Sequence, residues 1–147
     1  MKTALIIVLS VIVVVLIIGR LGNSPNHDEV VADKLLAMAD ALSAVELPNN
    51  EYALSDSAAR EQSIRSCKRL EIAAADLRSE TEGAEYFTAE HYYYIAADQV
   101  VGAAGHWQQS LQYVGMGAME SAKEEARRAN NDIQEANRIM TIANKLK

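Results

Sequence analysis

Four side chains near the middle of the chain belong to the types that bind metal ions: Glu90, His91, Asp98 and His106. Metal sites in helical bundles combine a Glu with Glu-x-x-His pairs on facing helices, and the sequence contains no Glu-x-x-His. Glu90 and His91 are adjacent and must point in different directions on a helix. His106 lies about four helical turns further along. We therefore predict no metal site and no cofactor.

The residue spacing also lacks the motifs that mark a catalytic nucleophile. No serine stands in a G-x-S-x-G turn, and the single cysteine, Cys67, has no neighbouring His with a supporting acid. The stretch Gly102–Gly105 lacks the preceding strand and the Lys of a phosphate-binding loop. We expect Cys67 to be a small buried hydrophobe, although an intermolecular or reactive thiol is the alternative. The chain is predicted not to be an enzyme.

Aromatic residues are concentrated in one short segment. Tyr86, Phe87 and the run Tyr92–Tyr94 lie within nine residues, and three consecutive tyrosines on a helix cannot all face one core. Because Tyr and Trp are favoured in interface hot spots, we predict a possible interaction surface formed by Tyr86, Tyr92, Tyr93 and Trp107. The alternative is that the rings lie at bundle edges with their hydroxyls in water. A further alternative is contact of these rings with lipid headgroups, which the acidic residues beside them disfavour.

Helical periodicity predicts the elements that would carry these residues. A first amphipathic helix is expected from Asp28 to about Glu46, and Leu47–Asn50 breaks the chain. A second begins near Ser55 or Asp56 and stops before Gly83. The predicted core positions of the first helix are Val31, Leu35, Met38, Leu42 and Val45. Those of the second helix are Ile64, Cys67, Leu70, Ala74 and Leu77.

Two further helices complete the pattern. The third is predicted from about Ala84 to Val114, with a buried side of Phe87, Tyr94, Ala97, Val101, Ala104 and Leu111. The fourth carries a helix-packing seam whose members alternate three and four residues apart, as in a coiled coil: Met119, Ala122, Ala126, Ala129, Ile133, Ala136, Met140 and Ala143. Its alanines require a close partner helix, which we expect to be the third, approaching at Gly102–Gly105 and joined by a turn at Gly115–Gly117.

A continuous apolar run from Ala4 to Ile18 contains one polar residue, Ser10, and no charge. With its flanks it reaches the lower limit of the roughly 17–25 residues of a membrane-spanning helix. A cleaved signal peptide is the alternative, but no A-x-A site follows. The predicted fold class is therefore all-α: one N-terminal transmembrane helix followed by an up-and-down antiparallel four-helix bundle. The predicted domains are a transmembrane anchor (1–21), a linker (22–27) and an acidic helical bundle (28–147).

Charge limits the partners and the topology. All twenty acidic residues lie at or after Asp28, so the bundle is strongly negative, and nucleic acid is excluded as a partner because phosphate binding requires clustered Lys and Arg. Lys2 and the N-terminal amine face Arg20 and a following acidic segment across the apolar run. The positive-inside tendency then favours a single-pass membrane location with the helical domain on the extracytoplasmic side.

The function predicted from these features is that of a non-enzymatic, membrane-anchored helical interaction or accessory protein. Its expected partners are membrane lipid, through the N-terminal helix, and a protein partner or a second copy. The alternatives are a ligand- or cation-binding helical bundle module, or a secreted helical protein after signal cleavage. The layout resembles that of envelope accessory proteins, including phage inner-membrane spanins, in architecture alone and without a shared motif.

Overall fold

A computed structural model describes residues 27–47 and 55–146 of the 147-residue chain. The described part is all-helical and contains no strand. Four long helices follow one another, and we label them α1 (His27–Ser43), α2 (Ser57–Glu80), α3 (Ala89–Gly115) and α4 (Met119–Asn144). The predicted helical bundle is confirmed. The predicted transmembrane anchor (1–21) lies outside the described residues, and none of the four described helices has the length and apolar composition of a membrane span.

Polar contacts between helices show how the bundle is arranged. Lys34 of α1 pairs with Asp76 of α2 at 3.2 Å, and the Gln108 amide of α3 donates to Glu71 of α2 at 2.8 Å. The Ser110 hydroxyl of α3 donates to the carbonyl of Ala122 in α4 at 2.7 Å. A second contact in each pair, His27 with Glu80, Arg78 with Asp98 and His106 with Glu125, shows that the sequence numbers run in opposite directions. Neighbouring helices are therefore antiparallel.

Local signals define most of the helix ends. Asp56 caps α2 by accepting a hydrogen bond from the Ala58 amide at 2.9 Å, as its residue type favours. Between α3 and α4, Gly117 adopts a left-handed φ of 75°. The amide of Ala118 donates to the carbonyl of Tyr113, and that of Gly117 to Val114. These two hydrogen bonds form a Schellman motif, which satisfies carbonyls that the end of a helix leaves without partners.

The core lies along the facing sides of the four helices, and every predicted core position of the first helix is buried. The helix itself ends at Ser43 rather than near Glu46, so Val45 is buried just beyond its end. At its centre a cavity of only about 10 Å³ separates side chains of α1, α3 and α4, which is too small to hold a water molecule securely. The main buried side chains are Leu35, Met38, Leu42, Leu70, Leu77, Tyr93, Val100, Trp107, Leu111, Ile133 and Met140. The apolar side chains of the four helices are therefore packed together in one core.

The start and the buried side of α3 differ from the prediction. The helix begins at Ala89 rather than near Ala84, because Thr88 caps it and Phe87 adopts a left-handed φ of 68°. Phe87 is consequently exposed, and Tyr94 and Val101 are only half-buried. The side that faces the core is instead formed by Tyr93, Ala96, Ala97, Val100, Ala103, Ala104, Trp107 and Leu111.

Candidate interaction surface

The bundle has two ends, and they carry different surfaces. The His27 end contains the start of α1, the turn between α2 and α3, and the end of α4. The Gly117 end contains the end of α1, the start of α2, and the turn between α3 and α4. Because α1 has 17 residues and α3 has 27, α1 stops well before α3 and α4 reach the Gly117 end.

This difference in length leaves an apolar groove on α3 and α4 near the Gly117 end. The groove has a volume of about 180 Å³. Leu47, which follows α1, reaches its edge, and Lys123 and Asn130 supply most of its polar character. The remaining lining residues are Trp107, Ser110, Leu111, Val114, Met119, Ala122 and Ala126.

The size of the apolar groove indicates what could occupy it. Pockets for drug-sized ligands measure roughly 300–1,000 Å³, whereas an engineered cavity of about 150 Å³ holds one benzene ring. A volume of about 180 Å³ therefore suits one or two large apolar side chains rather than an organic cofactor. Met119 is 39% exposed at the groove rim, so the part of the chain that the structure describes leaves the groove open on this side.

Two aromatic side chains project from the other end of the molecule. Tyr86 and Phe87, in the turn between α2 and α3, are 75% and 77% exposed; we call this pair the aromatic tip. The Tyr86 ring lies 4.8 Å from that of His91, centroid to centroid. The His91 ring in turn meets Tyr92 edge-on at 5.8 Å. These two adjacent exposed rings make the aromatic tip a candidate contact site, because aromatic side chains are favoured in interface hot spots.

Hydrogen bonds hold the turn that carries the aromatic tip at both of its ends. The Thr81 hydroxyl is buried and donates to the Leu77 carbonyl at 2.9 Å. The Thr88 hydroxyl donates to the Glu85 carbonyl at 2.7 Å and accepts from the His91 amide at 3.2 Å. A left-handed φ at a bulky residue such as Phe87 costs about 1–2 kcal/mol. The turn therefore retains a strained conformation that points Phe87 into solvent.

His27 ties the start of α1 to this turn. Its Nε2 lies 3.1 Å from Glu90 Oε2 and its Nδ1 lies 3.4 Å from Glu80 Oε1. The hydrogen bond and the charge of Glu90 are the main reasons that the pKa of His27 is raised above its ordinary value of 6.5. The first residue of α1 therefore lies beside the last turn of α2 and the first turn of α3.

A second cluster of charged groups lies between α3 and α4. His106 Nδ1 is 2.6 Å from Oε2 of Glu125, a carboxylate that is buried, and His106 Nε2 is 3.7 Å from Asp132. Arg128 donates to the other Glu125 oxygen at 3.2 Å. These contacts give the buried carboxylate the partners that burial of a charge requires. The cluster joins two helices through direct contacts between side chains, so its geometry supports a structural role.

The predicted interaction surface is not a single surface in the structure. Tyr93 and Trp107 are 2% and 5% exposed, because the buried side of α3 is rotated from the predicted one. Tyr92 is half-buried and Tyr86 remains exposed. Trp107 nevertheless lines the apolar groove, more than four helical turns from the aromatic tip. The four residues are therefore divided between the core and the two ends of the bundle.

The helix-packing seam lies on the side of α4 that faces the bundle. Six of its members are buried, whereas Ala126 is half-buried and Met119 is exposed at the apolar groove. The six buried members pack against the chain's own helices, whereas Met119 and Ala126 line the apolar groove. The predicted close approach at Gly102–Gly105 holds at one position only: a Cβ on Gly102 would lie 3.1 Å from Asp132 Oδ2, whereas one on Gly105 would meet nothing within 4 Å.

The candidate chemical groups are separated from one another. Within residues 27–47 and 55–146, no three His, Cys, Asp or Glu side chains are grouped closely enough to hold a metal ion. Glu90 pairs with His27, and Asp98 accepts from Arg78 at 2.7 Å. Cys67 is completely buried, and this burial raises the pKa of its thiol from 9.0 to about 11. A thiol in this state is a poor nucleophile.

The apolar groove was missed by sequence reasoning, although one signal for it exists. The first helix is predicted to stop before Pro48, while the third continues for about thirty residues. A short helix beside long ones must leave part of their apolar sides uncovered. Which residues line the gap depends on how α3 is rotated, and the sequence pattern alone placed that rotation incorrectly.

Comparison with protein-family models, with curated proteins and with solved structures finds no match to this chain.

Proposed function

We propose that this chain is a non-enzymatic, membrane-anchored interaction protein. The apolar run within residues 1–21 would serve as a single-pass anchor, and the bundle would hold a protein partner from the extracytoplasmic side. The composition of the run supports the anchor, and the charges that flank it support the orientation. The exposed apolar groove supports the partner. An apolar segment of another protein, inserting one or two large side chains, is the occupant that the groove volume favours.

The observation that carries the proposal is the space beside α3 and α4, beyond the end of α1, that residues 27–47 and 55–146 leave uncovered. A helix of a partner could extend along the line of α1 and cover Leu111, Val114 and Met119. Amphipathic helices commonly bind in such grooves through side chains spaced three and four residues apart. Trp107 at the base of the groove would supply a rigid contact of the kind found in hot spots.

Alkaline carbonate extraction tests the anchor. We expect the full-length chain to remain in the membrane pellet and its intact mass to include Lys2 and the apolar run. A mature chain that begins after residue 21 and stays in the supernatant would instead establish the secreted alternative.

A photo-reactive amino acid at Met119 tests the groove, and the same probe at Met116 is the control. Met116 is 76% exposed at the same end of the bundle but does not line the groove. We expect the probe at position 119 to cross-link one protein that the probe at 116 does not reach. That protein, once purified, should bind the intact chain directly.

Two matched substitutions on α4 then separate groove binding from surface charge. Ala126→Glu places a carboxylate in the groove and should weaken binding of the purified partner at least ten-fold. Ser121→Glu adds the same charge at an exposed position and should change binding less than two-fold. Equal effects, or cross-linking from Met119 to Tyr52 or Leu54 of the same chain, would contradict a groove open to a partner.

A further inference from the structure

We infer that the His27 end of the bundle rests on the bilayer and that Tyr86 and Phe87 insert into its interfacial layer. The inference rests on the proposed membrane anchor and adds a second, non-covalent contact with the same membrane. The aromatic tip would contact lipid, and the Gly117 end would contact the protein partner.

The first step is the position where the chain enters the bundle. His27 contacts Glu80 and Glu90 at 3.4 and 3.1 Å, so the start of α1 lies beside the turn that carries the aromatic tip. Eight residues separate Ile18, the last residue of the apolar run, from His27. The nine Cα–Cα steps from Ile18 to His27 span at most about 32 Å when fully extended. An anchor that ends at Ile18 therefore limits His27, and the turn beside it, to within about this distance of the bilayer.

The second step is the chemistry of the exposed residues at this end. Tyr86 and Phe87 are 75% and 77% exposed, and the hydrogen-bonded turn keeps both rings outside the core. Because α3 and α4 are antiparallel, Leu146 lies at the same end, where it is 49% exposed. Aromatic rings that combine an apolar body with a polar edge are favoured at membrane–water interfaces. The three exposed side chains thus lie at the end of the bundle where α1 begins.

The third step is the charge around the aromatic tip. Glu82 and Glu85 are exposed beside it, and Glu80 and Glu90 lie behind it, paired with His27. Carboxylates at this density oppose binding to anionic headgroups. A zwitterionic surface, such as phosphatidylcholine or phosphatidylethanolamine, is therefore the lipid partner that fits.

The sides of the bundle are less suited to lipid. The outer side of α4 carries the ion pairs of Arg127 with Glu124 and of Arg138 with Glu135. The exposed apolar residues of α1 and α2, among them Leu36 and Ile72, stand among charged neighbours. Burial of these charges in a bilayer would be unfavourable. The molecule is therefore expected to stand upright on its His27 end.

Spin labelling of the full-length chain in phosphatidylcholine vesicles tests this orientation. A label is placed at Phe87→Cys or, as the matched control, at Met116→Cys, which has nearly the same exposure at the other end. Both variants carry Cys67→Ala, so each has a single thiol. We expect the ratio of oxygen to nickel-chelate accessibility to be at least three-fold higher at position 87. Tyr86→Cys, which leaves Phe87 in place, should give the same result as Phe87→Cys.

The outcomes distinguish this inference from the proposed anchor. If the chain floats with the vesicles and the two ratios are equal, the aromatic tip does not enter the membrane and the inference is overturned, while the anchor stands. If the chain does not float, the anchor itself fails. Dipolar broadening at position 87 that disappears on dilution would identify a second copy as the occupant and also overturn the inference. Adding phosphatidylglycerol should lower the ratio at 87, and a higher ratio would contradict the assignment to zwitterionic lipid.

Discussion

At the scale of single residues, His27 is the group whose titration should report on the docking of α1. Its pKa is raised above 6.5, first by the hydrogen bond to Glu90 and then by the charge of that carboxylate. A raised folded-state pKa means that the protonated contact contributes fully below pH 6.5 and that its contribution is lost as the pH rises through the folded-state pKa. The start of α1 should therefore be held most firmly in mildly acidic solution.

An NMR titration of the His27 ring checks this behaviour. Glu90→Gln should return the pKa of His27 toward 6.5, because it removes the largest cause of the shift. Asp28→Asn, which removes the smallest cause, is the control and should change the pKa much less. A His27 pKa that stays the same in Glu90→Gln would show that the two side chains are not paired in solution.

His106 and Glu125 form the second residue-scale contact with a measurable contribution. His106→Ala removes the partner at 2.6 Å and leaves the buried Glu125 carboxylate with Arg128. Loss of one partner of a buried polar group costs about 1–3 kcal/mol, so we expect a decrease of this size in the free energy of unfolding by urea. In a Glu125→Gln background the same substitution should cost clearly less. Equal costs in both backgrounds would show that the pair is not coupled.

At the scale of the helices, two glycines of α3 provide a matched comparison of helix propensity against close packing. Gly105→Ala places its Cβ in open space and should raise the free energy of unfolding by about 0.5–1 kcal/mol, because Gly is a poor helix former. Gly102→Ala places its Cβ 3.1 Å from Asp132 Oδ2, so Asp132 must move and part of the gain should be lost. Thermal or urea unfolding measures both. Equal gains would mean that α3 and α4 are further apart at Gly102 than the structure shows.

At the scale of the whole molecule, the two ends have separate roles that depend on orientation. The 27 residues of α3 correspond to a length of about 40 Å at 1.5 Å per residue. The groove residues of α3 run from Trp107 to Val114, so an upright bundle would hold the apolar groove roughly 30 Å above the membrane. A partner anchored in or beside the same bilayer could reach the groove only if its own binding segment extended that far.

Energy transfer from a donor at Met116 to acceptor lipids measures this height. We expect a distance of closest approach of about 40 Å for an upright bundle, against about 20 Å or less for one lying flat with two helix layers on the surface. A donor at Phe87 is the control and should give a short distance. Short distances from both positions would rule out the upright orientation.

Sequence patterns were informative wherever the physical cause is local. The three- and four-residue alternation of α4 and the cap at Asp56 each depend on neighbours within one or two turns. The core positions of α1 were correctly predicted for the same reason. The buried side of α3 was harder to identify, because small and large apolar residues occupy nearly every direction around that helix. The local pattern fits burial of Tyr94 as well as it fits burial of Tyr93.

By itself, the sequence determined that the domain is helical, acidic and divided into four helices, because periodicity, caps and charge act along the chain. It also marked the apolar run that motivates the proposed anchor. Only the tertiary structure decided which tyrosines are exposed, that the aromatic tip lies beside the start of α1, and that α1 leaves an apolar groove uncovered. These features depend on the rotation and relative length of packed helices, which arise from contacts between residues distant in sequence.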